Sequence, residues 1–492
     1  MATSEEFAWK SDLSRLEQAR DALIQTDPPS LPGEGEGYRI NPSLSLVVCR
    51  WRQLWRYLDD SGREVVPEEG QEFVLVYKAP GDGAIKITPA SDRQLLALKL
   101  HTENLDRHAV AEEAGVDVGR VDAAVEEACA SGIILAPPSK LVRSAAHYPD
   151  SGVAGWKPYL HSDYFTLQWH VTQACDLHCR HCYDRSTISP LTLEQGVNIL
   201  DQFREFVLEK NVHGQVTFTG GNPLLYDHFE ELYREAAKRN FSIAILGNPS
   251  SRKIVQSLQD IQALSFYQVS LEGLPEHNDS IRGAGHFDRI MEFLEILDDL
   301  SIYSMVMLTL TRENMGQVLE LAGILRDKVD LFTFNRLSQT GEGAALATAE
   351  KQEYQDFLHE YLDAAKSNPT MAMKDNLINI VKAERQEKPF GGCTGFGCGA
   401  AFNFCSILPD GDMHACRKFQ SPIGNVLQSS LLELYNSEAA ERYRLGPSEC
   451  RGCKIRPVCG GCQAVIQSSG LDITLNRDPH CFIATEETED DG

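Results

Sequence analysis

The sequence predicts an α/β protein: a curled parallel sheet with helices outside it, preceded by a small winged-helix domain and followed by a cysteine-rich module. Three observations carry that reading. Between residues 164 and 366 strand-like and helix-like segments alternate six times, the pattern of βα units whose strands pair in parallel. Ahead of them, short strands are followed by three short helical patterns. Behind them, nine of the fourteen cysteines crowd into residues 393–481. At 492 residues the chain has room for roughly three domains.

Taken in order, residues 5–25 carry Leu13, Leu16, Leu23 and Ile24 at near-helical spacing, which predicts one amphipathic helix. The Pro- and Gly-rich stretch 27–37 ends it as a linker, so residues 1–37 form a helix and tether. From 45 to 57 the positions Val47, Cys49, Trp51, Trp55 and Tyr57 alternate with arginines, the period of a half-buried strand. A second strand is predicted at 72–77, after a turn at Asp59–Gly62. Helices follow at 92–104, 106–114 and 117–131, stopped by Gly132, with a short strand at 133–135. Residues 38–145 therefore read as a winged helix-turn-helix. DNA is a poor partner for it, because residues 1–150 hold 16 Lys and Arg against 25 Asp and Glu.

After a polar connection through Pro137, Pro138 and Trp156, strands are predicted at 164–171, 215–219, 242–247, 266–272, 303–310 and 331–337. Helices are predicted between them at 192–209, 227–239, 251–262, 285–299 and 314–327, and a last one at 349–366. Directly after the first strand comes Cys175-Asp-Leu-His-Cys179-Arg-His-Cys182-Tyr183. A loop leaving a strand end can wrap three thiolates around one soft metal centre. A four-iron cubane held by three cysteines keeps one iron open for a substrate or cosubstrate. A structural zinc site using His178 or His181 with the thiols is the alternative.

Here the sequence resembles the radical S-adenosylmethionine (SAM) enzymes, whose open iron binds the amino and carboxylate groups of SAM. The resemblance implies that residues 160–370 form a partial (βα)6 TIM-like barrel with its site at the carboxyl ends of the strands. It also implies SAM contacts. Gly220, Gly221, Asn222 and Pro223 end the second strand where the family usually has Gly-Gly-Glu-Pro, and Ser270 stands in a segment normally Ser-x-Asp-Gly, with Glu272 replacing the Asp. Asn248, at the end of the third strand, points to the same face. So do Asn335 and Arg336 at the end of the sixth. His181 occupies the place where relatives set a side chain against the adenine.

The second cysteine field runs Cys398-x12-Gly411-x4-Cys416, Cys450-x2-Cys453-x5-Cys459-x2-Cys462 and Cys481. It resembles the SPASM extension, a module with two auxiliary [4Fe–4S] clusters, and covers residues 390–485. Carrying the family's interleaved ligation across gives one cluster to Cys398, Cys405, Cys416 and Cys462. The other goes to Cys450, Cys453, Cys459 and Cys481. With Cys175, Cys179 and Cys182 the total is three [4Fe–4S] clusters. The last pair departs from the family's usual C-x3-C. Cys393 is left over, either a free thiol or a replacement for Cys398 or Cys405. Two zinc sites would use the same eight thiolates. Cys49 and Cys129 stand apart as buried apolar thiols. Residues 486–492 form an acidic tail.

A net charge of −25 argues against nucleic acid or an anionic membrane as partner, and no apolar run reaches about 18 residues. With no signal peptide and many unpaired cysteines, the expected compartment is the cytoplasm. The resemblance implies reductive cleavage of SAM, hydrogen abstraction by the 5′-deoxyadenosyl radical, and a flavodoxin- or ferredoxin-type electron donor. A winged domain before such a core looks like the recognition element that binds the leader of a ribosomally made precursor peptide as an added strand. The expected product is a thioether or other crosslink. Residues 167–186 look like the maturases of selenobiotic-type peptides. The alternatives are a maturase that oxidises a residue in a whole protein, like the sulfatase-activating enzymes, and an iron–sulfur or zinc regulator. No catalytic base is identifiable.

Overall fold

A computed structural model describes residues 5–33, 35–58, 66–144, 148 and 155–484; the expected turn at 59–62 and the acidic tail fall outside them. The chain forms two compact units, residues 1–138 with 238–240, and residues 139–237 with 241–492. No helix among the described residues is long and apolar enough to cross a membrane.

The first unit is built on an antiparallel sheet of β2 (Ser45–Arg52), β3 (Glu68–Lys78) and β4 (Ile85–Pro89), with β3 in the middle. Alternation along β3 sends its side chains to two different cores. Val74 and Val76 join Leu16 and Leu23 of helix α1 (Glu5–Ile24), with Cys49 and Leu54. Leu75 and Tyr77 join Leu100 of α2 (Asp92–Thr102), Ala111 of α3 (Arg107–Ala114) and Val121 and Val125 of α4 (Val118–Ala130). Ser91 and Gln94 form a capping box that starts α2, and Gly115, at φ 64°, ends α3. A short ladder pairs β1 (Arg39–Ile40) with β5 (Ile134–Leu135). The alternating run expected to reach residue 57 stops as a strand at Arg52, and Leu54–Leu58 is a 3-10 turn that buries Leu54. The strand β4 was not expected from the sequence, being only five residues closed by Pro89.

The second unit holds six parallel strands in sequential order: β6 (Tyr164–Thr172), β7 (His213–Gly220), β8 (Ser242–Leu246), β9 (Phe266–Ser270), β10 (Ser304–Leu310) and β11 (Leu331–Arg336). Their helices are α5 (Leu193–Lys210), α6 (Phe229–Ala237), α7 (Arg252–Ile261), α8 (Pro275–Arg282), α9 (His286–Asp299), α10 (Val318–Leu325) and α11 (Lys351–Ala365). Strand β6 shows why the layers form. Phe165, Leu167, Trp169 and Val171 belong to the main core, where Phe165 meets Phe203 and Phe206 of α5 at ring distances of 6.1 and 4.6 Å. The intervening residues are left for the inner face of the sheet.

The cysteine-rich module adds strands to this same sheet, which the sequence did not foretell. After α12 (Ile378–Glu384), β12 (Phe404–Ile407) pairs parallel with β6, and β13 (Asp412–His414) and β14 (Pro422–Asn425) follow antiparallel. The turn before β13 contains Gly411 at φ 86°, and Asn425 braces it by donating to the Asp410 carbonyl at 3.1 Å. The module ends with α13 (Leu431–Tyr435), α14 (Glu438–Leu445) and α15 (Gln463–Ser468).

Inside the sheet, on β6, lies His170, only 1% exposed, with neither ring nitrogen hydrogen-bonded. Burial, with the neighbouring charges of Arg417 and His414, pushes its pKa down to about 3. The folded chain thus refuses a proton that the unfolded chain accepts near pH ~6.5. The neutral ring's contribution is complete above that pH and is lost as the pH falls toward 3. Stability is expected to fall between pH 7 and 5 with a slope of up to about 1.4 kcal/mol per pH unit from this group. Comparing urea midpoints at the two pH values with those of His170→Leu checks this, the variant showing the shallower dependence.

Candidate functional site

The carboxyl ends of the six parallel strands open into a cavity of about 450 Å³. The loop 173–192 that leaves β6 forms one wall, and it is held from three sides. Gly221 and Asn222 donate backbone N–H groups to Thr172 and Ala174 at 2.9 and 2.8 Å. Arg180 donates to the carbonyl of Ile281, and Glu342 donates to that of Cys182. These approaches need small residues. A Cβ on Gly220, whose φ is 137°, would lie 2.0 Å from the Thr172 oxygen, and one on Gly221 would lie 2.3 Å from the Ala174 oxygen.

Cys175, Cys179 and Cys182 are brought together on this loop and all line the cavity. Burial raises the Cys179 pKa, Arg282 lowers it, and the nearness of Glu272, Cys175 and Cys182 raises it again. The Arg282 guanidinium donates to Cys179 Sγ at 3.7 Å, and Asn248 Nδ2 donates to Cys175 Sγ at 3.6 Å. A fixed cation beside clustered thiols favours their thiolate form, the form that binds iron.

Arg282 is itself positioned by chemistry that was not foreseen. Helix α8 begins with Pro275 at its first turn and ends at Gly283, φ 108°, which leaves Arg282 at the loop. Its Nε and Nη2 donate to Glu272 Oε1 at 2.9 and 2.6 Å, and Glu272 Oε2 accepts from the Thr309 N–H at 2.8 Å. Glu272 is 1% exposed; burial works to raise its pKa, but His181, Arg282 and the Thr309 N–H together hold it low. The Glu in place of the expected Asp is thus the anchor of an arginine. Its signal in the sequence was the ten-residue spacing to Arg282.

Of the expected SAM contacts, Gly220, Gly221, Asn248, Ser270 and His181 line the cavity. His181 Nε2 sits 3.3 Å from Glu272 and 3.4 Å from Arg282. Asn222 and Pro223 do not line it. Asn222 Oδ1 caps the Leu224 N–H at 3.3 Å and its Nδ2 donates to Asp176 at 3.0 Å, so its carbonyl is spent on a 3-10 turn that Pro223 begins. Asn335 and Arg336 line it as well, but the Arg336 guanidinium is engaged elsewhere. It donates to Asp375 at 2.8 Å and, through two nitrogens, to Asp478 at 2.8 and 2.7 Å.

The second cysteine field forms two groups of neighbouring thiols. Cys398 is raised to about 12 by burial, then by Cys462, with Cys393 and Cys416 adding to the rise. Cys416 is raised to about 11 by burial, with Cys462 and Cys393 again among its neighbours. Cys405 belongs to neither group. It lies in the middle of β12, opposite Leu167, fully buried in the main core, and burial alone raises its pKa. Cys393, by sequence either a free thiol or a replacement for Cys398 or Cys405, is near Cys398 and Cys416. The Cys393 N–H donates to Asn376 Oδ1 at 2.7 Å, in a 3-10 turn before Gly395. The other group is Cys450, Cys453, Cys459 and Cys481: burial raises Cys450 to about 12, followed by Cys453 and Cys481, and the same three thiols act on Cys459. Among the described residues no three His, Cys, Asp or Glu side chains are arranged to hold a single metal ion.

Comparison with known proteins agrees with this architecture. Residues 169–325 match the radical SAM superfamily, and residues 398–463 match the SPASM iron–sulfur cluster-binding domain. The mycofactocin maturase MftC of Mycolicibacterium smegmatis is 29% identical over 339 residues, 64% of this chain and 82% of that protein. An AdoMet-dependent heme synthase of Methanosarcina barkeri is 24% identical over 346 residues, 64% of this chain and 95% of the other. The crystal structure of Streptococcus suis SuiB bound to the precursor peptide SuiA superposes with a TM-score of 0.53 at 16% identity, covering 83% of this chain and 96% of SuiB. That last likeness is one of fold.

Proposed function

We propose that this chain, which carries a radical SAM domain followed by a SPASM domain, is an enzyme that modifies a ribosomally made precursor peptide, forming a thioether or other crosslink. The observation that carries the reading is the gathering of Cys175, Cys179 and Cys182 at the mouth of a cavity ringed by the carboxyl ends of six parallel strands. Likeness to peptide maturases, MftC by sequence and SuiB by fold, supports the substrate class.

In this reading Cys175, Cys179 and Cys182 hold the cluster that binds SAM. Gly220, Gly221, Asn248, Ser270 and His181 line the place for SAM itself. Cys393, Cys398, Cys416 and Cys462 hold one auxiliary cluster, and Cys450, Cys453, Cys459 and Cys481 the other, giving three clusters. When bound and reduced, this cofactor set supplies a 5′-deoxyadenosyl radical that abstracts hydrogen from an unactivated carbon. The chain's own work is positional. Arg282, fixed by Glu272, keeps positive charge at the thiols, and the strand ends and loop 173–192 narrow the space in which a peptide carbon can approach. Four thiolates for each auxiliary cubane leave no open iron, which suits those clusters to carrying electrons away. A flavodoxin- or ferredoxin-type protein is the electron donor in this scheme, and the chain works in the cytoplasm.

The first unit serves as the winged peptide-recognition domain. Its edge strands β2 and β4 can each accept an added strand, and Leu46 and Val48 on β2 are 45% and 40% exposed. The experiment is incubation of the reconstituted enzyme with SAM, a reductant and the short peptide encoded beside its gene. The expected product is lighter by two hydrogens per crosslink, a change of about 2 Da by mass balance. Modification of a folded protein's cysteine or serine instead, with the peptide untouched, would favour the sulfatase-maturase alternative.

A further inference from the structure

Part of the cavity wall comes from Arg417 and Lys418, in the connection between β13 and β14. Arg417 Nη1 donates to Thr219 Oγ1 at 3.0 Å, near the end of β7, and Lys418 Nζ donates to the carbonyl of Arg336 at 3.3 Å, the end of β11. Both side chains line the cavity. Every other arginine that lines it has a carboxylate. Arg282 is neutralised by Glu272, Arg336 by Asp375 and Asp478, and Arg185 stands 3.7 Å from Glu342. The side chains of Arg417 and Lys418 donate to neutral oxygens and have no carboxylate in ion-pair range among the described residues, and Lys418 also lies near the Cys416 thiol. The cavity's one lining carboxylate, Asp184, is turned to Gln173 and to the Ser186 N–H.

Two cations without a carboxylate partner in a partly closed space stand out in a chain whose net charge is −25. Carboxylates are abundant here, yet none is placed beside them. A guanidinium with five N–H donors and an ammonium with three have donors to spare after one neutral contact each. An oxyanion entering the cavity would meet charge-assisted donors from two adjacent residues. We infer that Arg417 and Lys418 form a carboxylate-recognition site that holds an acidic group of the substrate against the reacting end of the cavity. This rests on the peptide-modifying reading above and narrows it: the segment that enters carries an acidic side chain or a free C-terminal carboxylate.

The test uses the holoprotein with all clusters reconstituted and SAM saturating, so that the carboxylate of SAM is already placed. Three probes are titrated by ligand-observed NMR: acetyl-Ala-Glu-Ala-amide, its neutral isostere acetyl-Ala-Gln-Ala-amide, and acetyl-Ala-Ala-Ala with a free C-terminus. The Glu probe or the free C-terminus is expected to bind roughly tenfold tighter than the Gln probe, the range of a charge-assisted hydrogen bond. Whichever of the two binds tighter identifies the source of the carboxylate. Arg417→Gln with Lys418→Gln is expected to erase the difference, and Arg417→Lys to restore part of it. Equal binding of all three probes to the unaltered protein would overturn the inference and assign the two cations to offsetting the charge of the nearby cluster. So would a variant that keeps the discrimination, or one whose affinity for SAM falls by the same factor. Probe binding needs no turnover. Discrimination without SAM cleavage would therefore sink the radical reading alone, and SAM cleavage without discrimination would sink this inference alone.

Discussion

Cys393→Ala is expected to remove one whole cluster, about four irons per chain, whereas Cys405→Ala should leave the iron count unchanged. The two residues exchange the roles that motif spacing gives them. Cys393 faces Cys398 and Cys416 from the turn ahead of them, while Cys405 is sealed in the core between β6 and α5, with no cysteine acting on it. A cubane that loses one of four thiolates is rarely kept through purification. A buried thiol that becomes a methyl costs about 1 kcal/mol in lost packing. Iron and sulfide analysis of the two purified variants, with urea unfolding of each, separates them. Loss of iron in Cys405→Ala with full loading in Cys393→Ala would restore the assignment made from spacing.

Arg336→Leu is expected to lower stability by about 3–5 kcal/mol, the cost of leaving buried partners of an ion pair without their counter-charge. Arg336 is 5% exposed, and its two carboxylates are as well hidden, with side-chain exposures of 8% for Asp375 and 1% for Asp478. The guanidinium also lies 5.2 Å from the ring of Tyr354. It ties β11, the last of the six parallel strands, to the segment between Cys462 and Cys481, because Asp478 also accepts the Cys462 N–H at 2.9 Å. The variant should therefore lose iron from both auxiliary groups as well as stability. Arg336→Lys should recover less than half, since an ammonium cannot make the paired contact with Asp478. Chemical denaturation with iron analysis reads both effects.

The parts of this molecule that were legible in the sequence are those written in local pattern. Apolar periodicity placed all six parallel strands within a few residues, and cysteine spacing placed the loop 175–182 at the end of the first strand. What escaped was contact between distant segments. Nothing in Phe404–Ile407, four residues long, says that it pairs with Tyr164–Thr172 rather than within its own module. That pairing is what buries Cys405 in the main core, a topological fact that spacing does not carry. The engagement of Asn222 is local, its carbonyl being drawn to the Leu224 N–H at the turn that Pro223 starts. The Glu272–Arg282 pair was within reach of sequence reasoning, being one helix apart, but only the fold shows that it carries positive charge to Cys179.

The most direct test is 5′-deoxyadenosine formation from SAM by anaerobically reconstituted, dithionite-reduced protein, beside Cys175→Ala with its iron content measured. The account predicts product from the unaltered protein and none from the variant, which keeps its eight auxiliary thiols. Absence of product from the unaltered protein at full iron loading, or equal product from both, would contradict it.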